Sequence, residues 1–348
     1  MLYQHQLEQQ LEVHTNMPNR HTTLTSLFTD IAGAIRSKTG DSAVIKADDF
    51  DTAIEAIPTG GGGGGGYTAE QLLGVDPIDS LTYDGTTLTS YSLYSRTINN
   101  LSLPNLTRIN NSALSRAKVL SDLSTLFSKV EMIEGNGISY FNEKINLTSD
   151  YNVIFPKLKN AEYTSLRDFG MGGNSDCSYS NHNNPKYNII MPSLTSSLSY
   201  SPVYELFKVR NFSARNWMGA KNICYFGYSL ETIDIKGWTT APTSSGSNRC
   251  LVNSGHNLRT LVIRNSTMCP ASSNPDYMWG GASGRSYFMT GTVDSIYNPN
   301  GEHGVIYVPD NLVDTYKNDA NWKACFDVNY IKPLSEYVDP YESYYQGE

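Results

Sequence analysis

A short apolar pattern recurs through the chain and constrains its fold more than any other feature. Its form is two apolar residues separated by one residue, followed in the best copies by proline and, after one or two further residues, by leucine. The copies with proline are LSLPNL (101–106), VIFPKL (153–158), IIMPSL (189–194) and IYVPDNL (306–312). The copies without it are VEM (130–132), FKVRN (207–211), IDIKG (233–237) and LVIRN (261–265). Residues two apart on a strand face the same side, so strands stacked in register share one core.

The spacing of these copies favours a repeat fold over a sandwich of unrelated strands, which is the alternative. Successive copies begin 29, 23, 36, 18, 26, 28 and 45 residues apart. Most of these values lie in or near the range of about 20–29 residues that is typical of leucine-rich repeats. We therefore expect a mainly β fold with short helices, in which an irregular leucine-rich-repeat solenoid over residues 67–337 follows a small N-terminal helical module.

A run of seven glycines, Gly60–Gly66, separates this body from the N-terminal region. Ordering so many glycines has a high entropic cost, so the run is expected to be a flexible linker. Before it, residues 22–37 and 47–57 have the apolar spacing of two short amphipathic helices. Their expected docking faces consist of Leu24, Leu27, Phe28, Ile31, Ile35, Phe50 and Ile54. Two helices this short bury little surface alone, so residues 1–59 are expected to dock on a partner.

Two segments resemble known proteins. LTSLFTDIAGAIRSKTG followed by IKADDFDTAIEAIPTGGG, within residues 22–66, resembles a module common in tail and other virion proteins of bacteriophages of Gram-positive hosts. GVIYVPDNLVDTYKNDANWKACFDVNYIKPLSE (304–336) resembles the terminal repeat of BspA-type leucine-rich-repeat proteins. The second resemblance implies a cap over 304–337 with a helix at about 310–317, sealed by Trp322, Ile331 and Leu334. The tail, 338–348, is either loose or packed on a neighbour.

Composition argues against several classes of function. A net charge of -8 and a pI near 5.3 disfavour nucleic acid, since phosphate contacts need clustered Lys and Arg. No apolar run of about 18 residues is present, so membrane insertion is not expected. The N-terminus has no secretory signal pattern, which is consistent with synthesis in a bacterial host cytoplasm. The five cysteines and six histidines show no metal-ligand spacing, so no catalytic, cofactor or metal site is expected.

Long insertions in the repeat are the predicted binding surface, because loops on a rigid scaffold commonly carry recognition. They span 170–188 and 266–304 and are rich in Tyr, Trp, Ser, Gly and Asn, as paratopes are. The candidate surface-binding residues are Tyr179, His182, Tyr187, Tyr277, Trp279, Tyr287 and Phe288. The alternative is that these aromatic side chains fill the flank of the core.

The two resemblances together imply a non-enzymatic virion protein of the tail-fibre or adhesin type. Residues 1–59 are expected to contact other virion proteins, and the repeat body is expected to bind a host-surface glycan or protein. A homo-oligomer is expected, trimeric by analogy with many fibres. A head-fibre, decoration or baseplate assembly protein is one alternative. A glycan-degrading tail enzyme is another, because scattered carboxylates can meet in space as a glycosidase pair.

Overall fold

The structure is a computed structural model, and the part of the chain that it describes lies after the glycine run. Internal contacts divide the chain into two units, Met1–Gly64 and Gly65–Glu348, and every described residue belongs to the second. The predicted docking helices, their seven apolar residues and the glycine linker lie outside the described residues. The described residues are 83, 85–95, 97–98, 101, 103, 105–119, 122–142, 147–162, 164–170, 184–197, 206, 208–219, 229–243, 251–252, 257–279, 288 and 302–346.

Short strands dominate this part of the chain. They are β1 (Thr87–Leu88), β2 (Thr97–Ile98), β3 (Arg108–Ile109), β4 (Lys118–Val119), β5 (Met132–Ile133), β6 (Tyr151–Ile154), β7 (Asn160–Ala161), β8 (Tyr187–Ile190), β9 (Ser196–Ser197), β10 (Val209–Gly219), β11 (Thr232–Trp238), β12 (Thr260–Ile263), β13 (Val305–Val308) and β14 (Ile331–Pro333). The α-helices are α1 (Leu123–Leu126), α2 (Pro275–Trp279), α3 (Val313–Asn318) and α4 (Ala320–Cys325). Short 3-10 helices cover Asp310–Leu312, Val328–Tyr330, Leu334–Glu336 and Glu342–Tyr344.

The strands form parallel sheets, and the first ten alternate between sheets along the chain. A five-stranded sheet has the order β1-β3-β5-β7-β9, and β2 pairs with β4. A seven-stranded sheet has the order β14-β13-β12-β11-β10-β8-β6. Parallel neighbours require a crossover, and here each crossover from β1 to β9 passes through a strand or turn on another side of the body.

The register of the seven-stranded sheet stacks one buried apolar residue from each strand. This ladder runs through Val153, Ile189, Phe212, Ile233, Leu261, Ile306 and Ile331. Positions 153, 189, 233, 261 and 306 are the first residues of five copies of the apolar pattern, as the sequence predicts. The copy placed at 207 is wrong: Phe212 occupies that register position, five residues further on.

The N-terminal half differs from the prediction. The five-stranded sheet aligns Leu88 with Ile109, Ile133 and Ala161, and not the copies that begin at 101 and 130. The leucines at 101, 103 and 106 are buried but lie outside every strand. Alternating apolar residues indicate which side chains are buried. An extended crossover segment buries alternate side chains as well as a paired strand does, so the pattern does not show that a segment is a strand.

The C-terminal region confirms the expected helix, since a 3-10 turn at Asp310–Leu312 leads directly into α3. Trp322 and Ile331 are fully buried, whereas Leu334 is only half-buried. The indole N–H of Trp322 donates to the Cys269 carbonyl (3.0 Å), and the Cys269 N–H donates to the Tyr316 hydroxyl (2.8 Å). These bonds tie α3 and α4 to the loop that follows β12.

The last residues, 337–346, pack on the outer face of the seven-stranded sheet and are called the C-terminal segment below. The Tyr341 hydroxyl accepts a hydrogen bond from Asn211 Nδ2 (2.9 Å), and the Tyr345 hydroxyl lies 2.7 Å from the Ser213 hydroxyl. Ile190 and Val262, on this outer face, are fully buried although they lie outside the main core cluster. The segment therefore covers apolar surface that the sheet alone would expose.

Charged side chains fasten the C-terminal segment. Asp339 pairs with both Arg215 and Arg264, and Arg264 also makes a bidentate pair with Asp234 at 2.6 and 2.9 Å. The Arg215 guanidinium lies 3.8 Å from the centroid of the Tyr345 ring. The Asp234 side chain is 1% exposed and that of Asp339 is 9% exposed, so these pairs are largely removed from water. The sequence left open whether the tail is loose, and this network orders it against its own sheet.

Candidate functional site on the stacked turns

Three of the predicted surface-binding residues are core residues, so the prediction is wrong for them. Tyr187 is 1% exposed, Trp279 is 3% exposed and Phe288 is 2% exposed. Burial raises the pKa of Tyr187 to about 12, because the phenolate would lose its hydration. Tyr277 is half-buried on α2. The remaining three predicted residues, Tyr179, His182 and Tyr287, lie outside the described residues.

Two aromatic residues of the second insertion pack against the end of α4 and the residue that follows it. The Trp279 ring stacks on Phe288 with centroids 4.9 Å apart, and Phe288 also packs on Phe326 at 5.6 Å. The Trp279 indole N–H donates to the Cys325 carbonyl (2.9 Å), which satisfies its only donor. A Cβ at Gly304 would meet the Phe288 ring at 2.8 Å, so the backbone there approaches the ring closely. These aromatics anchor the insertion to the core instead of displaying it.

A different surface has the features of a binding site, and it is built on four stacked turns. They comprise residues 89–95, 110–116, 134–142, and 162 with 164–169, and each follows a strand of the five-stranded sheet. Backbone N–H groups alternate between two kinds of partner. The Ser115 N–H donates within its own turn to the Ser112 carbonyl (3.2 Å), whereas the Arg116 N–H donates to the Ser139 carbonyl (2.9 Å) of the next turn. The same alternation joins the other turns, so the four behave as one hydrogen-bonded ladder.

The turns hold several non-glycine residues in the left-handed backbone region. The φ angle is 60° at Tyr91, 59° at Arg116 and 54° at Tyr140. Glycine adopts this region freely, whereas a residue with a Cβ loses about 1–2 kcal/mol there. Positive φ recurs at Ser112 and Thr164 in equivalent places, so the conformation belongs to the turn itself. The choice of tyrosine and arginine over glycine at such positions favours a role for their side chains.

Two groups of contacting side chains on these turns, Tyr91 with Tyr94 and Tyr140 with Arg116 and Arg167, are together called the tyrosine–arginine strip. Tyr91 is 60% exposed and Tyr94 is 42% exposed, and their ring centroids lie 6.0 Å apart. The Arg116 guanidinium lies 4.6 Å from the centroid of the Tyr140 ring, and that of Arg167 lies 5.6 Å from it. Two cations over one ring hold that ring in place, since each such contact contributes about 0.5–1 kcal/mol when exposed.

The two guanidinium groups of the strip differ in their charge partners. Arg167 pairs with Asp168 at 3.2 Å, and the Asp168 side chain is 2% exposed. Arg116 is exposed and makes no pair with any carboxylate among the described residues. The strip therefore combines aromatic faces with one cation that has no acidic partner in this part of the chain.

The strip carries groups suited to binding and none suited to metal chemistry. Across the ranges that the structure describes, no group of three or more His, Cys, Asp or Glu side chains is placed to hold a metal ion. No helix among the same residues is long and apolar enough to span a membrane. Stacking on tyrosine rings and charge-assisted hydrogen bonds from arginine are the interactions that the strip offers.

Sequence reasoning missed the strip because it looked for recognition in the insertions. The signal is a shorter repeat: TLTSYSLYSR (87–96), RINNSALSRA (108–117), MIEGNGISYF (132–141) and NAEYTSLRDF (160–169). Each has an apolar residue at its second and seventh positions, and all eight of these side chains are buried. The strip residues stand at the fifth, eighth or ninth positions of these segments, where the other segments have smaller polar residues that are buried, such as Ser112, Ser115 and Ser139.

Comparison with known proteins adds no family to this description. No protein-family model matches the chain, and no curated protein matches it significantly. The resemblances at residues 22–66 and 304–336 therefore stay expectations from the sequence.

Proposed function

We propose that this chain is a non-enzymatic phage virion protein that attaches the particle to a host-cell surface. In this proposal residues 1–59 dock on other virion proteins, the glycine run gives reach, and the body is an irregular leucine-rich-repeat solenoid. The register positions Leu88, Ile109, Ile133 and Ala161 support the repeat, because their spacings of 21, 24 and 28 residues fall in the range of about 20–29.

The tyrosine–arginine strip is the observation that carries the attachment role. Exposed tyrosines supply large, stiff contact surfaces at a low entropic cost, and arginine adds directed hydrogen bonds. The ladder of backbone bonds beneath them fixes their positions before a ligand arrives, which reduces the ordering cost of binding. Several copies on one particle would then convert weak single contacts into avidity.

The test is retention of the purified full-length protein on a panel of Gram-positive bacterial cells. We expect retention on a subset of the panel, and we expect the double substitution Tyr91→Ala and Tyr94→Ala to abolish it. Tyr344→Ala is the matched control, because Tyr344 is a 37% exposed tyrosine of the C-terminal segment, away from the strip. Equal retention of all three proteins would show that the strip is not the attachment surface.

Two further measurements test the rest of the proposal. Deleting residues 1–59 is expected to prevent incorporation into particles while leaving cell retention intact. Release of sugar fragments from cells or capsule on incubation with the protein would instead indicate a glycan-degrading enzyme and would refute the non-enzymatic role.

A further inference from the structure

We propose that the tyrosine–arginine strip binds an anionic glycopolymer, one that carries phosphate or carboxylate groups along a sugar or polyol backbone. The inference rests on the proposed attachment function and adds the chemical class of the ligand. Within the strip, Arg116 is the residue that selects for negative charge, and Tyr91 and Tyr94 form the stacking platform for the uncharged parts of the polymer.

Arg116 carries the selection because its charge has no acidic partner among the described residues. Its guanidinium carbon lies 4.6 Å from the centroid of the Tyr140 ring, and the residue is exposed, so a ligand can reach its N–H donors. That planar fork matches a carboxylate or a phosphate with two parallel hydrogen bonds. Arg108 provides the contrast within the same repeat, because its guanidinium is already paired with Glu134.

The stacked turns also favour a linear ligand over a compact one. Neighbouring turns are joined by backbone hydrogen bonds, and hydrogen-bonded neighbours lie about 4.8 Å apart. From Tyr91 and Tyr94 on the first turn to Arg167 on the fourth, the strip thus extends over about 14 Å. Arg116 on the second turn and Arg167 on the fourth bracket Tyr140 on the third, so cations alternate with an aromatic ring along this line.

Single-stranded nucleic acid also combines anionic groups with flat rings, but the charge balance disfavours it. Nucleic-acid grooves track a phosphate backbone with many cations, and the strip has two, one of which is paired with Asp168. The net charge of the chain is -8, which repels a polyanion of high charge density at long range. A polymer with one charge per repeat unit fits two spaced guanidiniums better.

The experiment measures binding of the full-length protein to three immobilised polymers. Poly(glycerol phosphate) represents phosphodiesters, polygalacturonate represents carboxylates, and neutral dextran is the uncharged reference. We expect binding to at least one polyanion, no binding to dextran, and a loss of affinity with added salt, because exposed charges are screened beyond about 10 Å at 0.1 M. The polyanion that binds more tightly identifies the anionic group.

Substitutions at position 116 connect that binding to the strip. Arg116→Gln is expected to weaken polyanion binding about tenfold or more, since a charge-assisted hydrogen bond is lost. Arg116→Lys keeps the charge without the fork and is expected to fall between the two. Arg108→Gln is the control. It is expected to bind within about twofold of the unaltered protein, because Arg108 is paired with Glu134 and its substitution removes no hydrogen bond between the strip and the ligand. Thermal unfolding of each variant establishes that it is folded.

The outcomes separate this inference from the proposed function. Unchanged polyanion binding by Arg116→Gln, or equal binding to dextran, overturns the anionic ligand. Tighter binding of oligothymidylate than of either polymer also overturns it, in favour of nucleic acid. Retention on cells through Tyr91 and Tyr94 without any polyanion binding refutes the anionic ligand and leaves attachment standing. Polyanion binding that depends on Arg116, without retention on any cells, supports the site and refutes the attachment role.

Discussion

Replacing Asp339 by asparagine removes the negative charge through which the C-terminal segment holds the seven-stranded sheet. The Asp339 carboxylate accepts a hydrogen bond from Arg264 Nη2 at 2.7 Å and also pairs with Arg215. The side chains of Arg215, Arg264 and Asp339 are 10%, 20% and 9% exposed. Together with Asp234 they form a mostly buried group of two cations and two anions, and the exposed Glu342 adds a third anion beside Arg215. The substitution therefore leaves the two guanidiniums with one buried carboxylate and one exposed carboxylate.

The magnitude follows from what remains after the substitution. Breaking a buried ion pair by removing one partner typically costs about 3–5 kcal/mol. Here the loss is smaller, because Asp234 keeps its bidentate pair with Arg264 and lies 3.4 Å from Arg215 Nε. The side-chain carbonyl of the new asparagine can also still accept a hydrogen bond from one of the two arginines. We therefore expect Asp339→Asn to lower the free energy of unfolding by about 2 kcal/mol, within the range for a hydrogen bond to a charged group.

Glu342→Gln is a matched control, because it removes the same kind of charge from the same arginine. Glu342 Oε2 lies 2.8 Å from Arg215 Nη1, as close as a strong ion pair, but the Glu342 side chain is 55% exposed. Exposed pairs contribute about 0–1 kcal/mol because water competes for both charges. We expect a change in the free energy of unfolding of about 0.5 kcal/mol or less.

Denaturant unfolding gives the two free energies, and amide hydrogen exchange locates the change. Proteins open locally before they unfold globally, so exchange should accelerate in residues 337–346 and in β10 to β12 before the five-stranded sheet responds. Equal destabilisation by Asp339→Asn and Glu342→Gln would refute the reasoning, since burial is the main difference between them. A loss that is spread evenly over the body would show that the C-terminal segment is not an independent unit.

Three other predictions follow from local geometry and pKa shifts. Gly237→Ala should lower the free energy of unfolding by about 2–3 kcal/mol, since the φ angle of Gly237 is 150° and the new Cβ would lie 2.5 Å from Cys269 Sγ. In denaturant unfolding, adding Cys269→Ala should restore part of this loss, and strictly additive effects of the two substitutions would contradict the clash. Burial raises the pKa of Tyr341 from 10.0 to about 12, so its share of stability is present below pH 10 and is lost as pH rises through 12. Tyrosinate absorbance should show a late step, to which Tyr187 also contributes, and Tyr341→Phe should reduce its amplitude by one tyrosine. Hydrogen bonds from the Tyr151 hydroxyl and neighbouring groups hold the pKa of Asp122 below 3.8, so its stabilisation is present above pH 3.8 and is lost as pH falls through the lowered value; Asp122→Asn should flatten the acid limb of the unfolding profile.

The sequence predicted the arrangement best where strands follow one another directly in the same sheet. From β10 to β14 each strand pairs with the next, so the apolar pattern at Ile233, Leu261 and Ile306 gives the register as well as the burial. In the N-terminal half, successive strands belong to different sheets. The spacing of apolar residues there does not identify partners, so the pattern at Leu101 and Leu103 predicts a strand where the structure has none.

The binding residues were harder to predict, because the same aromatic residue types occur in recognition loops and in cores. Tyrosine and tryptophan are favoured both in recognition loops and as large fillers of an irregular core. Trp279 and Phe288 illustrate the second use, since a neighbouring carbonyl and a neighbouring ring satisfy them. Tyr91 and Arg116 escaped notice because they lie in the regular turns and not in the long insertions, and Arg116 meets Tyr140 only through the stacking of the turns.

The alternation of backbone hydrogen bonds in the stacked turns separates folding from recognition. Main-chain hydrogen bonds join each turn to the next, and the buried apolar pair in each segment fixes its position. Residues at 91, 94, 116, 140 and 167 can therefore change identity while the frame that carries them is preserved. A protein under selection to recognise a new surface could therefore acquire substitutions at these five positions one at a time, and each intermediate sequence would still fold.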